Sequence, residues 1–353
     1  MFSIKFRRTT QVKFKVFAKS MRTDLLRASL SLLLCILAHP LCAQVKPPLE
    51  KVRVIYSAIG ASQSSIWIPY EAGIFRKYGL DVDLLYVAGG GRAAQVVQSG
   101  EVPIGIFTSA SVVSAVFAGG DLVTIASGMN VLPFFLVARP EIGRIEDLKG
   151  KKIGITRFGS ATDFALRYAE QKWPLKRGQD FAVIQVSGYP EMMAALKSRS
   201  LDAAMLNAEF TILGRREGFR DLADISALGL TFPTSSINTT RSYIRRSENT
   251  VRKFVRGFVE GNHFIKTQRA FTIGILSKYL KNDDRSFLDS VYELYGLRYI
   301  PKVPYPSPEA IKTVLSQMAE KEPKAAAAQP GQFIDRRFFD ELDKEGFIQR
   351  LWQ

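Results

Sequence analysis

Residues 66–111 constrain the fold of this chain more than any other part of the sequence. The segment alternates between helical and extended patterns, and each extended stretch ends in a turn rich in Gly, Ser or Thr. Residues 81–87 and 104–107 have the pattern of β-strands, and residues 92–99 have that of a helix. This alternation predicts an α/β fold with a largely parallel sheet. Nothing in the segment is typical of a catalytic nucleophile, a metal cage or a proton shuttle, so it predicts binding without chemistry.

The first 43 residues have the pattern of a targeting segment. Basic residues up to Arg27 precede a short apolar run at residues 30–41, and Ala43 is a small residue suited to cleavage before Gln44. The run is too short for a comfortable membrane span. We therefore predict a cleavable signal peptide over residues 1–43, with the true start at Met1 or Met21.

Removal of that segment limits the chemistry of the mature chain. Both cysteines lie within residues 1–43, and His263 is the one histidine beyond them. Disulfides, thiolate catalysis and Cys/His zinc sites are excluded, and a Ser–His–Asp triad would depend on His263, which lies in a helical pattern. We therefore predict no metal, no cofactor and no enzymatic activity.

The charge does not indicate a nucleic-acid partner. The full chain carries +16, and residues 1–43 hold eight of its 49 Lys and Arg and one of its 33 Asp and Glu, which leaves +9. The basic residues are spread out and form no nucleic-acid motif. A solvated basic surface is the simplest interpretation.

The βα alternation begins a second time after residue 150, which predicts two lobes of similar design. Residues 152–156 and 181–186 have strand patterns, and each is followed by a helical one. An extended stretch at 232–241 predicts a return to the first lobe. The predicted organisation is a first lobe at 44–137, a second lobe at 138–235, and a return to the first lobe with C-terminal helices at 236–353. Residues 321–332 have the composition of an exposed linker.

Five turns lie where a ligand would bind. Ligands of open α/β sheets bind beyond the carboxyl ends of the strands, where turns lead into helices. Such turns occur at residues 59–64, 88–92, 108–111, 157–162 and 207–210. Their backbone N–H groups favour anions, although ordinary helix capping explains any one of them alone. Arg92 is a candidate countercharge, and Trp67 belongs either to the core or to the ligand site.

Three stretches carry a resemblance to a known family. YEAGIFRKYGLDVDLLYVAGGGRAAQVVQSGEVPIGIFTSAS, IEDLKGKKIGITRFGSATDF and LKSRSLDAAMLNAEF resemble periplasmic substrate-binding proteins of ABC importers in the nitrate/sulfonate/taurine class, which includes binders of pyrimidine thiamine precursors. The resemblance implies a two-lobed periplasmic-binding-protein fold of type II, with a mostly parallel sheet flanked by helices in each lobe and two hinge crossings. It also implies a periplasmic monomer that binds a small solute and delivers it to a membrane permease.

The resemblance places ligand contacts on the turns. By position, they would be Ser62, Gln63, Trp67, Gly90, Gly91, Arg92, Thr108, Ser109, Phe158, Gly159, Ser160, Asn207 and Glu209. A carboxylate at Glu209 gives an anion binder no advantage, so zwitterionic or cationic solutes stay open beside sulfonates, carboxylates and heterocycles. The cysteine-rich stretch of the thiamine-precursor enzymes is missing, which argues against that enzymatic branch.

Two other functions fit a chain of this kind. One is an exported enzyme on the same fold, which the lack of cysteine and the single histidine disfavour. The other is a soluble sensory domain that works with a separate membrane receptor. Turnover of a bound solute would favour the enzyme, and a neighbouring sensor-kinase gene would favour the sensory domain.

Overall fold

The computed structural model describes residues 48–158, 160–319 and 322–353, in which ten strands form two five-stranded sheets. The predicted signal peptide at 1–43 lies outside these residues. The strands are β1 (Glu50–Tyr56), β2 (Leu80–Tyr86), β3 (Ile104–Phe107), β4 (Leu122–Met129), β5 (Phe134–Ala138), β6 (Lys152–Ile155), β7 (Ala182–Gln185), β8 (Ala203–Asn207), β9 (Arg220–Asp224) and β10 (Ser235–Thr240).

Each sheet contains one strand that runs against the others. The first sheet has the order β2-β1-β3-β10-β4, and β10 is antiparallel to both of its neighbours. The second has the order β7-β6-β8-β5-β9, and β5 is antiparallel to both of its neighbours. The remaining pairs are parallel. The predicted α/β fold with mostly parallel sheets is confirmed. Each reversed strand is the first one that the chain forms after it crosses from the other sheet.

The chain crosses between the sheets twice. It leaves the first sheet after Met129 and joins the second at Phe134, a few residues before the predicted boundary at 138. It returns between Asp224 and Ser235, as the extended pattern at 232–241 indicates. We call the first sheet with its flanking helices the first lobe, and the second sheet with its flanking helices the second lobe.

Helices cover both sheets. They are α1 (Ser64–Glu71), α2 (Ile74–Lys77), α3 (Gly90–Gln98), α4 (Ser109–Phe117), α5 (Ala161–Glu170), α6 (Tyr189–Lys197), α7 (Ala208–Arg216), α8 (Arg241–Arg246), α9 (Glu248–Thr267), α10 (Arg269–Leu280), α11 (Arg285–Val291), α12 (Pro308–Met318), α13 (Lys324–Ala327), α14 (Arg337–Lys344) and α15 (Phe347–Leu351). A π-helical segment, Tyr292–Tyr299, follows α11 directly. Among the described residues, no helix is at once long enough and apolar enough to cross a membrane.

Among the apolar clusters of the described residues, one large core lies on the first sheet and two others reach across the lobes. In the first core, Trp67 and Phe75 of α1 and α2 meet Phe254 and Phe258 of α9. A second core joins α4 and α12 to the second sheet, and a third joins α6 and α7 to α10 and α11. The C-terminal helices therefore hold the lobes together by burying apolar surface against both.

The predicted linker at 321–332 is wrong in part. Within it, α13 forms a short helix, and Ala325 is buried in the second core. The alanines mark a packed surface because their small side chains let the backbone approach its neighbours. Pro323 and Pro330 bracket this helix instead of marking an exposed tether.

A half-buried lysine on α9 holds the π-helical segment. Lys266 Nζ donates to the carbonyl oxygens of Gly296, at 2.9 Å, and Leu297, at 3.1 Å. Burial, together with the nearby charge of Lys302, lowers the pKa of Lys266 from 10.5 to about 8. The folded protein therefore releases this proton at a lower pH than the unfolded chain does.

We expect the free energy of unfolding to rise between about pH 8 and pH 9.5. Over this window the unfolded chain binds more protons at Lys266 than the folded protein does, so stability increases with pH. Above pH 10 the buried tyrosines oppose this, since burial raises the pKa of groups such as Tyr295. Urea unfolding across this window should show a rise that Lys266→Met removes and that Lys149→Met, at an exposed lysine, retains. If the free energy of unfolding changes equally with pH in the wild type, Lys266→Met and Lys149→Met, this prediction is wrong.

Candidate ligand-binding cleft

A cavity of about 1030 Å³ lies where the two lobes face each other. The start of α4 supplies the wall from the first lobe, with Ala110, Ser111 and Ser114. Phe158, Ser160 and α5 supply the wall from the second lobe, and α12 closes a third side. The cavity therefore joins two of the predicted turns, 108–111 and 157–162, from opposite lobes. Its size suits a small organic molecule.

The second-lobe wall carries a cluster of hydroxyl groups. Ser160 Oγ lies 2.9 Å from Thr156 Oγ1 and 2.9 Å from Thr162 Oγ1, and the two threonine oxygens are 2.8 Å apart. Thr162 Oγ1 also accepts a hydrogen bond from the N–H of Thr156 at 3.0 Å. Of the three residues only Ser160 lines the cavity, and its hydroxyl can either donate to a ligand group or accept from one.

Phe158 presents an apolar ring beside this cluster. Its side chain is 56% exposed and lines the cavity, while its backbone N–H is fixed by Gln185 Oε1 at 3.1 Å. A large exposed aromatic on a fixed backbone is a stacking surface for a planar or apolar group. Gly159, the next predicted residue, lies outside the described residues.

Charged side chains on α5 pair with one another and with Arg177. Asp163 is buried and pairs with Arg177 at 2.5 Å and with Arg167 at 3.2 Å. Arg177 also binds Glu170, whose pKa is raised by burial despite that contact. Because these arginines are matched to carboxylates, the wall here is close to neutral.

The first-lobe turns at 88–92 and 108–111 lie against each other. A Cβ atom at Gly90 would lie 2.9 Å from Ser111 Oγ and 3.2 Å from Thr108 Cγ2, so the contact requires a glycine or a shift of Ser111. Gly91 and Arg92 are exposed on the same turn. Neither of them, nor Gly90 or Thr108, is part of the cavity wall.

All five turns have backbone N–H groups that the protein itself satisfies, including that of Phe158, which Gln185 Oε1 accepts, and that of Gly89, which Ser57 O accepts. Thr108 Oγ1 accepts from Ala110 N, and Pro233 O accepts from Ser109 N. Asn207 Oδ1 accepts from Phe210 N at 3.0 Å, which caps α7. In the turn at 59–64, the N–H of Ala61 is bound by Glu209. The expectation that all five turns offer free N–H groups is therefore wrong for these donors, because capping satisfies them first.

Two predicted contacts are buried away from the cavity. Trp67 is fully buried in the first core, stacked on Tyr279 with ring centroids 4.4 Å apart and edge-on to Tyr56. Ser109 is also fully buried, and its Oγ lies 2.8 Å from Thr124 Oγ1 in a network that includes Asn238. Both side chains serve the packing of the first lobe.

Glu209 lies at a direct contact between the lobes. It is 7% exposed and accepts hydrogen bonds from Ala61 N at 2.8 Å and from Tyr295 Oη at 2.6 Å. Burial raises the pKa of Glu209, while these two hydrogen bonds lower it. In the turn that contains Ala61, Gln63 is buried and Ser62 is half-buried. Ser62 Oγ lies 3.4 Å from Gln63 Nε2.

The cavity wall also includes residues that the sequence did not indicate. Ser111 lies on a predicted turn without being singled out, whereas Lys312 and Thr313 come from α12, far along the chain. Only the fold brings α12 to the cleft, since its sequence pattern is that of an ordinary amphipathic helix. In the part of the chain that the structure describes, no group of His, Cys, Asp and Glu could hold a metal ion.

Known proteins share both sequence and fold with this chain. The family model described as NMT1/THI5 like matches residues 65–268. A Brucella abortus (strain 2308) protein that carries the name of a binding protein is 26% identical over 241 residues, which cover 66% of this chain and 72% of that protein.

Two solved structures at lower identity share the architecture. The alkanesulfonate-binding protein SsuA from Xanthomonas axonopodis pv. citri, bound to MOPS, matches with a TM-score of 0.62 and 17% identity, over 82% of this chain and 99% of that one. The periplasmic nitrate-binding protein NrtA from Synechocystis PCC 6803 matches with a TM-score of 0.63 and 13% identity, over 84% of this chain and 89% of that one. The chain therefore belongs to the NMT1/THI5-like family and has the fold of the periplasmic substrate-binding proteins of ABC importers.

Proposed function

We propose that this protein is the periplasmic solute-binding component of an ABC-type importer. It captures a small solute between its two lobes and delivers it to a membrane permease, acts as a monomer, and reaches the periplasm through a signal peptide cleaved near Ala43. The observation that carries this proposal is the cavity of about 1030 Å³ with walls from both lobes. A ligand that contacts both walls stabilises the closed arrangement over an open one.

The relatives support binding without chemistry. The Brucella abortus relative is named for binding, and the two solved structures are named for binding alkanesulfonate and nitrate. His263, the one histidine after residue 43, stacks edge-on against Trp352 at 4.8 Å and does not line the cavity. The hydroxyls at Ser160 bond to threonine hydroxyls instead of a general base, so they are suited to holding a solute.

Different parts of the site have different roles in this proposal. Phe158 stacks on the apolar body of the solute, and the hydroxyl cluster around Ser160 binds its polar group. Gly159 stays a predicted contact on the same turn. From the first lobe, Ser111 lines the cavity, and Gly90 and Thr108 lie beside Ser111. Gly91 and Arg92 follow Gly90 in the chain and are proposed contacts on the same turn.

Thermal-shift screening of the chain from Gln44 onward tests the proposal. The panel comprises alkanesulfonates, nitrate, amino acids, aromatic acids and pyrimidines, and at least one of them should raise the unfolding temperature by mass action. If no solute in this panel stabilises the protein, the proposed function is wrong. Conversion of a stabilising solute into a product would instead favour an enzyme.

Phe158→Ala should weaken binding of any solute found in that screen about two- to thirteen-fold, since an aromatic contact contributes about 0.5–1.5 kcal/mol. The unfolding temperature without solute should stay unchanged, because the ring is mostly exposed. Isothermal titration calorimetry measures the affinity. Phe271→Ala is a matched control, because that ring is also partly exposed but does not line the cavity. Equal affinities of both variants would remove Phe158 from the site.

A further inference from the structure

A buried carboxylate of the second lobe is bonded directly to the first lobe. Glu209 lies in the first turn of α7 and is 7% exposed. Its Oε1 accepts a hydrogen bond at 2.8 Å from the N–H of Ala61, which lies in the turn before α1 of the first lobe. A Cβ atom at Gly60 would lie 3.2 Å from the same oxygen, so the first-lobe turn packs closely against the carboxylate.

The other oxygen of Glu209 is held by the π-helical segment. Tyr295 Oη donates to Glu209 Oε2 at 2.6 Å. Lys266 of α9, in the first lobe, donates to two carbonyl oxygens of this segment, and Tyr292 Oη donates to the carbonyl oxygen of Ile265 at 3.2 Å. The carboxylate is therefore bonded both to the first lobe and to a segment that is tied to the first lobe.

The π-helical segment also contacts the second lobe. Arg298, near its end, pairs with Asp224 at the end of β9 at 2.8 Å. The hydrogen bond from Ala61 is for this reason the contact of Glu209 that joins the two lobes directly.

Hydrogen bonds, not a positive charge, stabilise this carboxylate. Among the described residues, no Lys or Arg forms an ion pair with Glu209. A hydrogen bond to an ionised acceptor is stronger than one between neutral groups. The donors at Ala61 and Tyr295 therefore contribute strongly to the arrangement in which Glu209 is buried.

The contact lies in an apolar layer between the lobes and outside the cavity. Ala61 and Met129 of the first lobe belong to the third core together with Ala208 and Ile212 of α7. Neither Glu209 nor Ala61 is part of the cavity wall. The contact can therefore stabilise the arrangement of the lobes without touching a solute.

We propose that Glu209 is an interlobe latch, whose hydrogen bond to Ala61 sets the share of molecules in which the lobes lie as in this structure, with both cavity walls in place. Separation of the lobes breaks this bond and leaves a solute with one wall. Solute affinity falls with the share of latched molecules, because only the competent population binds. This inference concerns the motion of the lobes and is independent of which solute they capture.

Loss of the latch should lower the ratio of latched to separated molecules at least about ten-fold. This factor corresponds to 1.4 kcal/mol, near the lower end of the range for a hydrogen bond to a charged group. Without the carboxylate, the N–H of Ala61 also loses its acceptor in the latched arrangement, whereas water can bind it when the lobes separate.

The test measures the distance between the lobes by double electron–electron resonance. Residues 44–353 contain no cysteine, so Asp83→Cys on β2 and Ala182→Cys on β7 place one spin label on each lobe, both at exposed positions. Without solute, Glu209→Ala and Glu209→Met should add a second distance that the labelled wild type lacks or shows much less. The methionine variant keeps most of the side-chain volume and decides the test if the alanine variant does not fold.

Glu260→Met is the matched control. Glu260, on α9, also accepts from a tyrosine hydroxyl, that of Tyr78 directly after α2, but both residues belong to the first lobe. This variant should keep the distance distribution of the wild type. The same distribution in the wild type and a folded Glu209 variant would overturn the inference, and so would an equal change in Glu260→Met. Because the measurement uses no solute, its failure is separate from failure of the proposed function, which is the absence of any stabilising solute.

Discussion

Replacing Trp67 by alanine is expected to lower the free energy of unfolding by about 3–5 kcal/mol, the range for truncating a large buried aromatic. The indole ring is fully buried, stacks on Tyr279 at 4.4 Å and meets Tyr56 edge-on at 5.9 Å. Its removal leaves a cavity between α1 and α10 that the surrounding rings cannot fill without moving. Urea unfolding followed by circular dichroism measures the loss.

The same variant separates a packing role from a ligand-binding role. If Trp67 acts in the core, the folded fraction of Trp67→Ala binds solute as the wild type does, whereas Phe158→Ala binds less and unfolds normally. Phe271→Ala, at a partly exposed ring, should lose far less stability than Trp67→Ala. Near wild-type stability of Trp67→Ala with weakened binding would contradict this assignment and restore Trp67 to the ligand site.

Replacing Arg177 by methionine is expected to lower the free energy of unfolding by about 3 kcal/mol, the lower end of the range for breaking a buried ion pair. Arg177 binds Asp163 at 2.5 Å and Glu170 at 2.9 Å, and Asp163 is almost fully buried at the start of α5. Arg167 keeps its contact with Asp163, but that arginine is mostly exposed and its attraction is screened by water.

The control for this prediction is an ion pair at the surface. Arg144 and Asp147 pair at 3.2 Å, with the Arg144 side chain largely exposed and that of Asp147 partly exposed. Arg144→Met should therefore change the free energy of unfolding by less than about 1 kcal/mol. Urea unfolding at neutral pH compares the two variants, and losses of equal size would show that burial does not strengthen the Arg177 contacts.

The sequence predicted the local elements well and the contacts between distant elements poorly. Alternating strand and helix patterns at residues 66–111 were sufficient to predict β2, α3, β3 and the start of α4, because those patterns depend on neighbours in the chain. The strand order and the reversed direction of β10 depend on pairing between residues as far apart as Phe107 and Ser236. A pattern of polar and apolar residues carries no record of such pairing.

The candidate site shows the same division. The family resemblance placed Phe158 and Ser160 on a turn that follows a strand, and both line the cavity. Trp67 has the residue type of a ligand contact, but its helix turns the ring toward Tyr279, which comes from α10. The sequence could not predict the contacts of Glu209 either, because Ala61 and Tyr295 are distant from it in the chain and only the fold brings them together.

The antiparallel strand β10 imposes an order on folding. It lies between β3 and β4, so β4 cannot join the first sheet until residues 235–240 are present. All five strands of the second sheet lie between Phe134 and Asp224, an uninterrupted stretch that can assemble earlier. Closing the long loop between Phe107 and Ser236 adds an entropy cost before the pairing is gained. In a nascent chain, β1 to β4 therefore wait for β10 to complete the first sheet for as long as synthesis of the second lobe takes.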